Sequence, residues 1–194
     1  MCNKVIDNEV KNIIYRFKQS NYVNTSVKDL THLKTYSIDD SQSFEIDDAI
    51  SLDKISYQHK LWIHIASPTS YFEYQSAIDK KARKLISTVY LSTNTYYMLP
   101  ELLINDVFSL SDKEERESLS LGVIFNEDGS VGSTEIVKSI IKVDYKLNYT
   151  DADELIDYAP KEEEDLSIIS DFLQCRKCWR KNSGATEILE CVII

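Results

Sequence analysis

Only four glycines and three prolines punctuate this chain of 194 residues. Such scarcity excludes collagen-like, linker-like and Pro/Gly-rich disordered architectures, and a hydrophobic content of 43% supplies the side chains for one sizeable folded core. No apolar run approaches the roughly 20 residues that a membrane-spanning helix needs, so no membrane partner is expected. The opening M-C-N-K-V-I-D-N-E-V lacks a charged segment followed by an apolar one, so no secretory leader is expected and the chain reads as soluble and cytoplasmic. Positive charge is also short, with 22 Lys and Arg against 32 Asp and Glu and a net charge of -10. A uniformly basic nucleic-acid footprint is therefore excluded. Histidine is rarer still, and neither serine nor cysteine falls into a paired histidine pattern, which argues against a nucleophilic triad.

The charge is unevenly placed. Residues 150–165 hold eight acids and one base, Lys161, and the remainder is nearly balanced. Lys80, Lys81, Arg83 and Lys84 form one basic cluster, and Arg176, Lys177, Arg180 and Lys181 another. Each alone reads as a solvated helix face. The four cysteines lie near the two ends. Cys175-x-x-Cys178 has a zinc or redox spacing but lacks completing partners and sits inside a helical pattern, so two buried reduced thiols are expected.

Residues 5–19 carry Ile6, Val10, Ile13, Ile14 and Phe17 at helical spacing. From about residue 35 the pattern shortens to strands at Thr35–Ile38, Asp48–Leu52 and 61–66. Residues 74–86 return to helix, with Ala77, Ile78, Ala82, Leu85 and Ile86 expected inward, followed by extended segments at 89–91 and 96–100. L-S-L-G-V-I-F, N-E-D-G and V-G-S-T-E-I-V-K-S-I-I-K-V spell a hairpin whose Asp128-Gly129 tolerates positive φ. Thr150 is expected to cap a helix over 151–158, while Pro160 and Gly184 bracket a longer one carrying Leu166, Ile169, Phe172, Leu173 and Trp179. The acids of 151–165 then suit two successive helix N-termini. The apolar C-V-I-I at 191–194 has no cap behind it, which predicts a domain incomplete at that edge and prone to association. His64 reads as a satisfied core histidine, His32 and His59 as surface residues. The tyrosines at 71, 74, 96 and 97 read as packing.

S-I-D-D-S-Q-S-F-E-I-D-D-A-I, residues 37–50, is the stretch with chemistry in it. It holds Asp39, Asp40, Glu45, Asp47 and Asp48 and no base. If 45–48 begins a strand, Glu45 and Asp47 share one face and Asp48 takes the other. A loop from Asp39 can fold back to add a fourth carboxylate. Such a histidine-free oxygen cluster suits magnesium or manganese, and without a cation the four could not all stay ionised at close quarters. The spacing does not fit a calcium EF-hand loop. On residue chemistry alone, an exposed acidic loop and a metal site are evenly matched.

The stretch from Asp29 to Leu52 resembles the start of the catalytic (RNB) domain of the ribonuclease II and ribonuclease R family, where I-D and a short loop precede D-x-D-D-A. Further blocks agree in order: L-W-I-H-I-A-S-P-T-S-Y at 61–71, A-I-D-K-K-A-R at 77–83, T-V-Y-L at 88–91, Y-M-L-P-E-L-L at 97–103, F-S-L at 108–110 and K-L-N-Y at 146–149. The resemblance implies a magnesium-dependent hydrolytic 3′–5′ exoribonuclease that acts on single-stranded RNA and releases nucleoside 5′-monophosphates, with manganese as an alternative ion. By the same resemblance Asp39, Glu45, Asp47 and Asp48 are the metal ligands, Asp47 a catalytic residue, and Tyr90 the aromatic that stacks on an RNA base. Asp40 falls in the loop outside this set.

The implied fold is α/β (α+β), a mixed β-sheet flanked by helices, as a truncated RNB-type catalytic domain. Residues 1–28 are expected to be a helical extension and 29–194 the N-terminal portion of the domain. Glu45 stands where the family usually has Asp, Ser67 where it has another Asp, and Phe108 where it has Cys. The family's domain also continues beyond this length and adds phosphate-gripping bases. Two expectations follow: an enzyme that works with a second polypeptide supplying the C-terminal half of the domain, or an inactive remnant or docking subunit that binds metal or RNA weakly.

Overall fold

The computed structural model describes residues 2–19, 27–41, 43, 45–55, 58–111, 113–158 and 164–186. In chain order its elements are α1 (Cys2–Gln19), β1 (Lys28–Asp29), β2 (Thr35–Ile38), β3 (Asp48–Ile55), β4 (Gln58–Ala66), α2 (Ala77–Leu85), β5 (Val89–Tyr90), β6 (Thr95–Tyr96) and α3 (Glu101–Leu103). A wide π-turn at Ile104–Phe108 then leads to β7 (Glu115–Phe125), β8 (Val131–Lys142), β9 (Tyr145–Leu147), α4 (Tyr149–Tyr158) and α5 (Asp165–Asn182). Seven strands form one mixed sheet in the order β1-β8-β7-β4-β3-β2-β9, and β5 and β6 pair as a separate ribbon. The pairs β1·β8 and β2·β9 are parallel, and those within the meander of β2, β3, β4, β7 and β8 are antiparallel. The expected mixed sheet with flanking helices is the observed architecture.

Strand alternation sorts the sheet into two faces. Ile50, Leu52, Leu61, Ile63 and Phe125 face α4 and α5, where Leu155, Ile156, Leu166, Ile169 and Phe172 cover them. Ala49 and Trp62 face the other way, into a cluster with Leu30, Leu33, Ile46, Leu110, Ile141 and Val143. That second face also carries a buried polar chain. His64 reaches Ser51 Oγ at 2.9 Å through Nε2 and Ser120 Oγ at 2.6 Å through Nδ1. Ser120 meets Ser139 at 2.5 Å, and Ser139 meets Ser118 at 2.7 Å. One hydroxyl–imidazole network thus crosses β3, β4, β7 and β8 with every member buried. Burial drives the His64 pKa down to about 4, so the ring is neutral at ordinary pH. The core reading of this histidine is correct.

A third cluster packs α1 beside the sheet. Ile6, Val10 and Ile13 recur on one helical face and meet Ile78, Leu103, Ile104, Val107 and Phe108. The same helix supplies a cap in trans. Glu9 accepts from Ala77 N at 2.9 Å and Ile78 N at 3.0 Å, and Ser76 Oγ accepts from Asp79 N at 3.2 Å, so three free amides of α2 are satisfied. The β7–β8 hairpin turns as expected at Asp128-Gly129, with Gly129 at φ +82°. A Cβ on that glycine would lie 2.4 Å from the Cys175 carbonyl oxygen.

Four expectations are corrected. Asn148, not Thr150, caps α4, because its Oδ1 accepts from Asp151 N at 2.9 Å. Leu85 and Ile86 point outward, since α2 stops at Leu85 and Ile86 turns the chain with φ +69° while 82% exposed. Cys175 and Cys178 are exposed, because α5 buries Leu166 and Ile169 in its first half, whereas its second half meets the β7–β8 turn at Gly129 through the Cys175 carbonyl and the Arg176 guanidinium rather than through the thiols; Leu173 is exposed too. Asp165 does open α5 as a first-turn acid, as expected. It is buried and paired with Lys54 Nζ at 2.7 Å. His59 is half-buried against Phe172 rather than a free surface residue. Pro160 and the 191–194 tail lie outside the described residues.

Candidate functional site

The acidic loop is held by its one apolar member. Ile46 is buried, while Glu45 on one side is half-buried and Asp47 on the other is exposed. The Ile46 amide donates to Ser109 Oγ at 3.0 Å, and its carbonyl accepts from Leu110 N at 2.9 Å. Asp47 O then accepts from Ala66 N at 2.8 Å, which brings the loop onto the end of β4. Because side chains alternate across an extended segment, anchoring Ile46 inward turns its two neighbours outward. Strand β3 begins at Asp48, so the carboxylates sit at a strand's start rather than within it.

Behind this anchor stands Arg116, almost fully buried. Its Nε donates to the Ser109 carbonyl at 3.0 Å, and its Nη2 donates to Ser111 Oγ at 2.9 Å and also reaches Glu114. The guanidinium lies 4.7 Å from the Phe17 ring centroid. The other end of the loop is tied to β9: Asp39 N donates to Leu147 O at 3.1 Å, and Lys146 Nζ to Ser43 O at 2.8 Å. The sequence blocks F-S-L and K-L-N-Y therefore clamp the two ends of the acidic loop. Arg116, Ser109 and Lys146 carried no signal as supporting residues beyond membership in, or nearness to, those blocks.

The four carboxylates are neighbours electrostatically but are turned to different partners. Protein around the Asp47 carboxyl, then the charges of Asp48 and Asp39, push its pKa above the ordinary aspartate range. Burial raises Glu45 as well, opposed by a hydrogen bond from Tyr90 and assisted by the Asp47 charge. No ion pair to any of the four is present among the described residues. Asp39 Oδ1 instead accepts from Asp40 N at 2.7 Å and Ser43 Oγ at 2.8 Å. Glu45 Oε2 accepts from the Tyr90 hydroxyl at 3.1 Å. Among the described residues no three His, Cys, Asp or Glu side chains close into a metal-holding group.

Tyr90 sits on the β5–β6 ribbon with its ring 68% exposed, beside exposed Val89, Leu91 and Tyr96. Its phenol pKa is raised by burial of the hydroxyl and by the bond to Glu45. The expected aromatic thus lies next to the expected carboxylates, reached from 45 residues away in sequence.

Oxygen donors near the start of a central strand, with the Glu45 and Asp47 pKa values raised and no ion pair to offset them among the described residues, have a donor chemistry that fits a hard divalent ion. The comparisons name the family around it. A model of the RNB domain matches residues 27–191, and the chain belongs to that family, the family of ribonuclease II and ribonuclease R. It is 37% identical over 160 residues to the chloroplastic/mitochondrial ribonuclease II of Arabidopsis thaliana, covering 82% of this chain and 20% of that protein. Against ribonuclease R of Chlamydia trachomatis the identity is 32% over 136 residues, covering 68% and 19%. The chain thus spans about a fifth of the length of these relatives. In fold it is similar to Mycoplasma genitalium RNase R in complex with ribose-methylated single-stranded RNA, with a TM-score of 0.78 at 20% identity over 95% of this chain and 33% of the other. The yeast pseudonuclease Ssd1 shares the fold at a TM-score of 0.71 and 20% identity, over 86% of this chain and 21% of its own.

Proposed function

We propose that this chain provides the carboxylate half of a magnesium-dependent 3′–5′ exoribonuclease site acting on single-stranded RNA and releasing nucleoside 5′-monophosphates. The observation that carries the reading is the RNB match over residues 27–191 together with the clamped acidic loop that it contains. Asp39, Glu45, Asp47 and Asp48 would hold the ion, with manganese able to substitute. When bound, such an ion activates water and offsets charge on the scissile phosphate.

The chain's own residues contribute position. Ser109 and Leu110 fix Ile46, so Glu45 and Asp47 project from a constrained backbone rather than a free loop. Lys146 holds the Ser43 carbonyl and keeps Asp39 folded toward the same end of the sheet. Asp47 is the catalytic carboxylate in this proposal, since it lies between Asp48 and Asp39 electrostatically and is exposed. Tyr90 offers an accessible ring to any base, and stacking of that kind is sequence-tolerant. The remaining bases that grip phosphate would come from a second polypeptide or a further segment equivalent to the rest of the family's domain.

The second reading is a non-catalytic member that binds metal or RNA weakly or docks to a partner. It is favoured by the open arrangement of the acids and by the occurrence of the same fold in a pseudonuclease. Incubation with 3′-labelled and 5′-labelled RNA, with and without magnesium, separates the two. Stepwise loss from the 3′ end that disappears in Asp47→Asn supports the enzyme. Intact RNA at all times, with no monophosphate released, supports the non-catalytic reading.

A further inference from the structure

The ribbon that carries Tyr90 is fastened to the acidic loop by the contact between Tyr90 and Glu45. Residues 88–98 make the β5–β6 pair and internal bonds such as Met98 N to Thr88 Oγ1 at 3.2 Å and Leu91 N to Asn94 O at 2.9 Å. Among the described residues the hydrogen bond from this segment to the acidic loop is Tyr90 to Glu45. On its N-terminal side the ribbon leaves α2 through Ile86. That exposed β-branched residue has φ +69°, and Ser87 N donates back to Leu85 O at 2.8 Å across it. A β-branched side chain in that region of backbone space is strained, and here burial does not compensate it.

Glu45 is also the one acid of the four that departs from the family's aspartate. Its extra methylene extends the carboxylate by about one bond length, and that carboxylate meets the ribbon at the Tyr90 hydroxyl. Among the described residues Asp39, Asp47 and Asp48 make no such hydrogen bond with an aromatic side chain. The open arrangement of the site and the residue change at 45 thus meet in one hydrogen bond.

We propose that Tyr90 is a positioning residue that latches Glu45 out of the carboxylate cluster, so that gathering the acids around a cation frees the ribbon, with its already accessible ring, to move toward RNA. The inference rests on the metal-site reading above. A carboxylate bound to the phenol hydroxyl must exchange that bond for the cation, and the exchange lowers cation affinity by the worth of one net hydrogen bond. In return, the phenol hydroxyl, and the ribbon that carries it, is released from the acidic loop only when the acids are gathered. Ribbon and loop are thereby coupled in both directions, since a linkage between two binding events is reciprocal.

The test uses the full chain and Mn2+ alone, with binding read from loss of the free-ion EPR signal. Phenylalanine keeps the exposed ring and removes the hydroxyl, and matching melting curves verify that the fold is intact. Tyr90→Phe is expected to bind Mn2+ about three- to tenfold more tightly than the unmodified chain. In a Glu45→Asp background the shorter carboxylate no longer reaches the phenol, so adding Tyr90→Phe is expected to change nothing further. Equal or weaker binding in Tyr90→Phe overturns the latch, as does an equal gain in both backgrounds. Asp47→Asn separates the two layers of the argument. Binding that is present in the unmodified chain and lost in Asp47→Asn upholds the metal site whatever the latch result. Absence of binding in all five chains removes the metal site and the latch with it.

Discussion

Ser109→Ala is the substitution that most directly probes how the acidic loop is held. The change removes one oxygen from a position 3% exposed and leaves the Ile46 amide, itself 2% exposed, without its partner at 3.0 Å. Methyl replaces hydroxyl with almost no change in volume, so cavity formation contributes little. The loss is that of a net hydrogen bond plus the desolvation of an orphaned buried amide, together about 1–3 kcal/mol. With an m-value of roughly 2–3 kcal/mol/M in urea, the midpoint is expected to fall by about 0.3–1.5 M. Hydrogen exchange gives the local readout: the Ile46 amide should lose protection beyond the global change, because among the described residues Ser109 Oγ is its acceptor. Ser70→Ala, which removes an exposed hydroxyl 2.9 Å from Ser67 Oγ, serves as the control and should stay within about 0.5 kcal/mol. An unchanged urea midpoint with full Ile46 protection in Ser109→Ala would refute the anchor and, with it, the account of why Glu45 and Asp47 face outward.

Two further predictions concern charge. Asp47 has a raised pKa, so its contribution to stability is complete below the unfolded aspartate value and is lost as pH rises through the folded value. In chelator, Asp47→Asn should therefore melt about 1–2 °C above the unmodified chain at pH 7, with the gap closing as pH falls toward 4. A constant gap, or a less stable variant, contradicts the crowding. His64 behaves oppositely: its pKa is lowered to about 4, so the stability it provides is complete above pH 6.5 and is lost on acidification through that range. The loss should approach about 3 kcal/mol, and an imidazole NMR resonance for His64 that titrates near 6.5 would contradict it.

Regular periodicity and turn chemistry made much of the sheet legible. Two β-rich apolar runs flank the turn residues Asp128-Gly129 and spell the hairpin, and L-W-I-H-I-A carries the apolar, β-branched signature of a central strand. The acids were legible as a group because their spacing is local. Other features depend on partners far away in sequence, where periodicity carries no information. Ser109 serves Ile46 from 63 residues away, and Glu9 caps a helix 68 residues on. The parallel pairs β1·β8 and β2·β9 join segments more than 100 residues apart. Helical spacing also overstated burial, since Leu85, Ile86, Cys175 and Cys178 continue an apolar pattern past the last buried positions of their helices. Thr150 is a good capping residue by type, but Asn148 stands two residues earlier at the exit of β9 and takes that place. The turn of Glu45 toward Tyr90 was not readable, because both ends of that contact lie on segments whose relative placement the sheet decides.

The buried network of Ser51, His64, Ser120, Ser139 and Ser118 has a consequence for how this sheet can change over generations. Replacing one member by an apolar residue strands its neighbours' polar atoms in a dry interior, whereas replacing a bonded pair together can be nearly neutral. The intermediates are therefore worse than either end, and a lineage starting from this sequence meets a valley at its first step. Four strands are held to one another's history by that chain of hydroxyls, so their second-face residues should be inherited as a block or exchanged as one.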